Sequence, residues 1–207
     1  MNKTIASVGC LALLLFAVLL LGMGGCTSYN GLVTKREDVN AAWSKVSDVY
    51  QRRLDLIPNL VSTVQGQANF EKTTLTEIAT ARASLNQIKL APGQTPDEAT
   101  MQQFQHSQGQ LGSALGRLIA ISENYPALKA NEGFMKLSDE LAGTENRIAV
   151  ARDRFNDAAH DYNIAVEKFP AALYAAAMGF QQKPYFKPDE AASQAPKVDF
   201  GTKPAAK

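Results

Sequence analysis

From Leu32 to about Lys168 the apolar side chains recur three or four positions apart with almost no slip. That period puts them on one face of an α-helix and on no face of a strand. The pattern is longest near the C-terminal end. There Phe134, Leu137, Leu141, Thr144, Ile148, Ala151, Phe155, Ala158 and Tyr162 form one stripe, continued by Ala165 or Val166. No alternating run rich in Val, Ile and Thr occurs, so strands are not expected. Apolar residues make up 45% of the 207, enough for a core and too many for a disordered chain.

Pro and Gly divide the helical region into four segments. The first, about 29–57, carries Leu32, Val39, Trp43, Val46, Tyr50 and Ile57, with Arg36 and Arg53 at the remaining stripe positions. The second, about 58–90, carries Val61, Val64, Ala68, Leu75, Ile78 and Leu85, with Glu71 and Arg82 at the polar breaks. The stripe keeps its phase across Pro58. A turn or sharp break there is favoured, because proline removes an amide donor; a kink in one long helix is the alternative. The stretch 91–98 (APGQTPDE) stops one helix and restarts another, with Thr95 as N-cap and Pro96 at the first helical position.

The third segment carries Met101, Phe104, Gln108, Leu111, Leu115, Leu118, Ser122 and Tyr125. Gly109, Gly112 and Gly116 give it a thin side that another backbone could approach. Tyr125-Pro126 ends it, Asn131-Glu132-Gly133 opens the fourth, and Phe169-Pro170 stops that one. Helices of about 30–38 residues are ~45–57 Å long, and short connections make neighbours antiparallel. The expected fold is therefore all-α: an antiparallel up-down four-helix bundle spanning 27–180. A short apolar piece at 171–180 packs on its end, and a flexible tail covers 181–207, with Tyr185-Phe186 tucked against the bundle.

Residues 1–26 read as a membrane anchor. Lys3 precedes an uncharged run from Ile5 to Leu21, followed by Gly22-Met23-Gly24-Gly25-Cys26. Small residues before a cysteine suit a lipoprotein signal cleaved ahead of Cys26, whose thiol would carry the lipid. The bundle would then face the periplasm or the cell exterior. The alternative is a retained single-pass helix, since 5–23 is close to the ~20 residues that cross a bilayer. Lys35, Arg36, Lys45, Arg52 and Arg53 would then lean the domain toward the cytoplasm.

The search for chemistry is mostly empty. His106 and His160 are far apart and in no ligand-spaced pair, and two cysteines with two histidines make a Cys/His zinc site improbable on composition. No nucleotide-binding, hydrolase or zinc-protease motif occurs. The 21 Lys+Arg balance 20 Asp+Glu, so nothing argues for nucleic acid. No catalytic residue, metal or cofactor is expected. What stands out is polarity beside the stripes: Arg52, Arg53, Asp55 and Asn59 around one boundary, then Glu145, Asn146, Arg147, Arg152, Asn156 and Asn163 along the fourth helix. Asn156 and Asn163 are seven apart and share a face; so are Glu145 and Arg152. These residues either fix helix register or form a polar groove for a peptide, a glycan strand or a partner helix.

The same stretches carry a family resemblance. YNGLV (29–33), AAWSKVSDVYQRRLDLIPNLVSTVQG (41–66), TARASL (80–85), ENYPALKANEGFMKL (123–137) and TENRIAVARDRFNDAAHDYN (144–163), with FP at 169–170 and PKVDF near the end, resemble the LemA family. The resemblance implies a membrane-attached four-helix bundle with no established catalysis, and so no active-site residues to carry over. The expected function is that of a membrane-anchored interaction or scaffold protein of the cell envelope, with an unidentified envelope partner. A glycan- or peptide-binding module, or less plausibly a hydrolase using the polar residues, is the alternative.

Overall fold

The computed structural model describes residues 2–66, 71–88 and 93–187, and for residues 2–24 and 26 it describes backbone alone. The helices are α1 (Asn2–Gln65), α2 (Lys72–Gln87), α3 (Glu98–Ser122), the single turn α4 (Pro126–Lys129) and α5 (Glu132–Glu167), followed by a 3-10 turn at Ala171–Leu173. No strand occurs among the described residues. The side-chain features expected of an anchor at 1–26, Cys26 included, lie outside the description, as does the tail at 188–207. Among the described residues no helix is long and apolar enough to cross a membrane.

α1 packs against α5, and α2 against α3. Lys35 meets Asp161, Tyr50 meets Arg152 and Arg53 meets Glu145, so residue numbers rise along α1 as they fall along α5. Asn40 meets Thr95 and Trp43 meets Phe104, so α3 runs the same way as α1. One apolar core joins all four long helices. Its centre is Trp43, edge-on to Phe104 and to Phe155 at 5.6 and 5.7 Å between ring centroids. The stripes supply this core. Every apolar position of the first is buried, and in α5 only Leu137, Ala158 and Ala165 are half-exposed.

The first break differs from the expected one. α1 continues through Pro58 as a single helix to Gln65, and the next helix starts only at Lys72. Proline at this position forfeits one amide bond, but Pro58 is on the exposed face. Leu54, Ile57, Leu60 and Val64 stay buried on either side of it, and that packing outweighs a single missing bond. The start of α3 also moves by two residues. Asp97, not Thr95, is the N-cap, its carboxylate accepting from the Thr100 amide at 2.8 Å. That bond holds the Asp97 carboxyl below the ordinary carboxylate range. Thr95 instead donates from its hydroxyl and its amide to Asn40 on α1, at 3.1 and 3.3 Å. α5 opens at Asn131-Glu132-Gly133 as expected, and Asn131 caps it, accepting from the Phe134 amide at 3.0 Å.

After α5 the apolar piece folds back onto the helix ends, burying Ala171, Ala175 and Phe180. Phe180 lies edge-on to Tyr29, with Arg36 over its ring. The chain then runs extended from Gln181 to Lys187 along the outside of α5, where a tail was expected.

Candidate functional site

Arg53 occupies a stripe position on α1, so the helix turns it inward and leaves it 7% exposed. Its Nη1 lies 3.0 Å from a Glu145 carboxylate oxygen on α5. A buried guanidinium needs such a counter-charge, because stripping water from an unpaired ion costs several kcal/mol (order of magnitude). Glu145 keeps 61% of its side chain in solvent, so the pair is desolvated on the arginine side only. On α3, a Cβ added at Gly112 would stand 3.4 Å from Arg53 Nη2. The glycine therefore makes room for a cation. The expected backbone approach along Gly109, Gly112 and Gly116 does not occur: nothing lies within 4 Å of a Cβ at Gly109 or Gly116. Arg53 Nε and both amide atoms of Gln108, a turn before Gly112, are buried without a partner.

Arg152, one turn-pair along α5, does not pair with Glu145. Its Nε donates to the Tyr50 hydroxyl at 2.6 Å. Its guanidinium lies over the rings of Tyr50 and Phe186, 5.6 and 5.2 Å from their centroids, within cation–π range. Burial pushes the Tyr50 phenol above its ordinary value, and the neighbouring Arg152 offsets only part of that.

The two asparagines hold the chain's own extended segment. Asn163 donates through Nδ2 to the Lys183 carbonyl at 2.9 Å and accepts from the Lys183 amide at 2.7 Å. Asn156 makes the same pair of bonds to Phe186, at 3.2 and 2.9 Å. The match is geometric. Seven helical residues advance about 10.5 Å, and three extended residues advance about 10 Å. Each primary amide can thus satisfy the donor and acceptor of one backbone residue, with the segment antiparallel to α5. At the Asn156 clamp, the Phe186 ring is buried against Phe155 edge-on at 5.4 Å and stacked with Trp43 at 6.1 Å. The Lys183 amine is lowered, first by burial and then by Arg36, with Glu37 opposing. The tail expected from residue 181 is therefore bound as far as Lys187. It carries no period because an extended segment on a helix surface makes its bonds through backbone.

The remaining candidates do not join these. Arg52 and Arg147 line a shallow cleft with Glu132, Asp139 and Glu140. Asp55 accepts from Gln51 on its own helix at 2.8 Å, and Asn59 and Asn146 are exposed. Asp55 and Glu145 thus have different partners and share no cleft, whereas glycoside hydrolysis needs two carboxylates facing across one. No cluster of metal-ligating side chains occurs among the described residues. The sequence singled out the asparagines, put Tyr50 on the first stripe and marked Tyr185-Phe186 as a pair to tuck against the bundle, but gave no sign of Lys183 or of the asparagine contacts along 183–186. The signal for the segment was the Pro184-Tyr185-Phe186 triplet, an aromatic pair in an otherwise polar stretch.

A family model described as the LemA family matches residues 42–200. The chain is 32% identical to magnetosome protein MamQ of Magnetospirillum gryphiswaldense, over 76% of this chain and 64% of the relative. It is 30% identical to magnetosome protein MamQ 2 of Paramagnetospirillum magneticum, over 77% and 64%. It is also 25% identical to protein LemA of Metamycoplasma hominis, over 68% and 60%. The alignments therefore span less than two thirds of the length of these curated relatives.

Proposed function

The chain belongs to the LemA family, and on that premise we propose that it is a membrane-tethered scaffold of the cell envelope, an up-down four-helix bundle that acts by binding a partner and not by catalysis. The observation that carries this reading is the use to which the conspicuous polar residues are put. Arg53 is paired with Glu145, Arg152 with Tyr50, and Asn156 and Asn163 with the segment around Lys183 and Phe186. Each holds the chain to itself, and no pair of them is set to move a proton or attack a bond. The face of Asn156 and Asn163 is occupied by the chain's own segment, so a glycan or peptide there would have to displace it.

Tethering is supported by the uncharged run 5–21 ahead of Gly25-Cys26. Lipidation of Cys26, with the bundle facing the periplasm or the cell exterior, is the favoured form, and a retained single-pass helix is the rival. The backbone of α1 is continuous from Asn2 to Gln65. In either form the element that leaves the membrane is then the same helix that carries Trp43 and Arg53. The polypeptide needs no hinge between tether and bundle, and a rigid stalk suits a scaffold. Intact-mass analysis of the membrane-extracted protein tests the tether. A polypeptide beginning at Cys26 with an acyl addition supports the lipoprotein form, an uncleaved product the single-pass form, and a soluble unmodified product refutes both. Crosslinking in intact membranes tests the scaffold role: a reproducible partner supports it, and recovery of the chain without one, alongside turnover of an envelope substrate, overturns it.

A further inference from the structure

A groove of about 1240 Å³ runs between α2 and α3 and reaches Arg152 on α5 and Lys187 at the end of the clamped segment. Four cations, Lys72, Arg117, Arg152 and Lys187, line it against one carboxylate, Glu77. Arg117 and Glu77 satisfy each other at 2.9 Å, and Lys187 reaches Glu98 at 3.3 Å. Among the described residues Lys72 and Arg152 have no carboxylate partner. Arg152 is also held in a fixed plane by the Tyr50 and Phe186 rings. Hydroxyl and amide groups, Thr76, Ser113, Gln102 and Gln105 among them, line much of the rest, with Ala81, Ala114 and His106 between them. Gln105 Nε2 is buried there without a hydrogen-bond partner.

Gly109 lines the groove, and nothing in the protein lies within 4 Å of where its Cβ would be. Glycine inside a helix costs about 1 kcal/mol relative to alanine, and here no close approach of another element accounts for it. A side chain at this position would project into the groove, so the wall is at its lowest there.

We propose that this groove binds an anionic glycan strand, one bearing carboxylate or phosphate groups. Charge complementarity selects an anion. Length selects a strand over a single small ion: the α3 wall runs from Gln102 to Arg117, which is about 22 Å of helix. The hydroxyl and amide lining matches sugar hydroxyls, which need both donors and acceptors. Apart from the His106 imidazole, which is bonded to Gln110, no aromatic or large aliphatic side chain among the described lining residues offers the pockets that peptide recognition uses for specificity. The inference stands apart from the scaffold reading, since it holds whether or not the chain is tethered.

The test is isothermal titration of the full chain in non-ionic detergent. The probes are hexagalacturonate, a ribitol-phosphate oligomer, neutral maltohexaose and a hexaglutamate peptide. At least one of the two anionic glycans binds, more weakly as salt rises, and the stronger of the two identifies the anion; maltohexaose does not bind. Gly109→Leu fills the groove where the structure has open space. It leaves the melting temperature unchanged or raised and weakens glycan binding more than tenfold, whereas a glycine with a purely structural role would give the first effect without the second. Lys72→Gln weakens binding several-fold with the fold intact. The proposal is overturned if neither anionic glycan binds, if Gly109→Leu binds as wild type does, or if hexaglutamate binds as tightly as the glycans.

Discussion

Replacing Asn163 with alanine removes both bonds to Lys183, at 2.9 and 2.7 Å. Each hydrogen bond contributes about 1 kcal/mol net. Both Lys183 backbone groups are only part-buried and regain water when released, so the expected loss is about 2 kcal/mol. Asn156→Ala removes the matching pair to Phe186, for a similar loss of about 2 kcal/mol. The double variant is the informative one. The clamps grip positions three residues apart on one segment, so once either opens, the other holds a strand that is already fraying. The double variant should then cost clearly less than the sum of about 4 kcal/mol, since residues sharing one structural unit couple by 0.5–3 kcal/mol (order of magnitude). Phe186→Ala should exceed either single change, at about 3–5 kcal/mol, because it empties a socket among Trp43, Phe155 and Arg152. Equilibrium urea unfolding followed by the fluorescence of Trp43, the one tryptophan, reads all four variants, because that indole stacks on Phe186. Single losses below about 0.5 kcal/mol, within the range of ordinary surface changes, would refute the idea that the segment is held. Strictly additive losses would refute the idea that the two clamps act as one.

Three further outcomes follow from the helices. Glu145→Ala leaves the Arg53 guanidinium, 7% exposed, without its counter-charge and should cost about 1–3 kcal/mol. Arg53→Met, which removes the buried charge itself, should cost less; thermal melts of the two decide the order, and the reverse order would count against the pairing. Pro58→Ala should raise the melting temperature, because α1 is one helix there and gains an amide donor toward Leu54; a lower melting temperature would mean that the proline shapes a break. Burial holds the phenols of Tyr50 and Tyr162 above the ordinary value of 10.0. A raised folded value means that the folded form keeps its proton longer, so this stabilisation is full below pH 10 and is lost as pH climbs past 10 through the folded values. Spectrophotometric titration of the wild type against Tyr50→Phe and Tyr162→Phe should show each substitution removing a phenol that titrates above pH 10; loss of a phenol titrating at or below 10 from either would contradict it.

The apolar period alone determined the helices, their inward faces and the composition of the core. A side chain that recurs every three or four residues has one direction to point once the backbone is helical, so Trp43, Phe104 and Phe155 had to be inside. The opening of α5 at Asn131 was legible for the same local reason: a short polar side chain satisfies amides within a turn of itself. Where two local rules competed, tertiary packing chose. Pro58 argues for a break and the unbroken stripe argues for a helix, and burial on both sides of the proline decided for the helix. Thr95 and Asp97 are both good caps, and Asn40, distant in sequence, took Thr95.

What only the tertiary structure could decide was partnership at long range. Asn156 and Asn163 advertised a shared polar face in the sequence, and Tyr185-Phe186 an aromatic pair to tuck against the bundle, but nothing there joined the two. An extended segment is recognised through its backbone, and backbone leaves no composition or period to read. In the same way the three glycines of α3 look alike as letters, yet Gly112 clears space for Arg53 and Gly109 faces an open groove. The difference lies in which neighbour the fold brings opposite each, a relation between distant residues that no local pattern encodes.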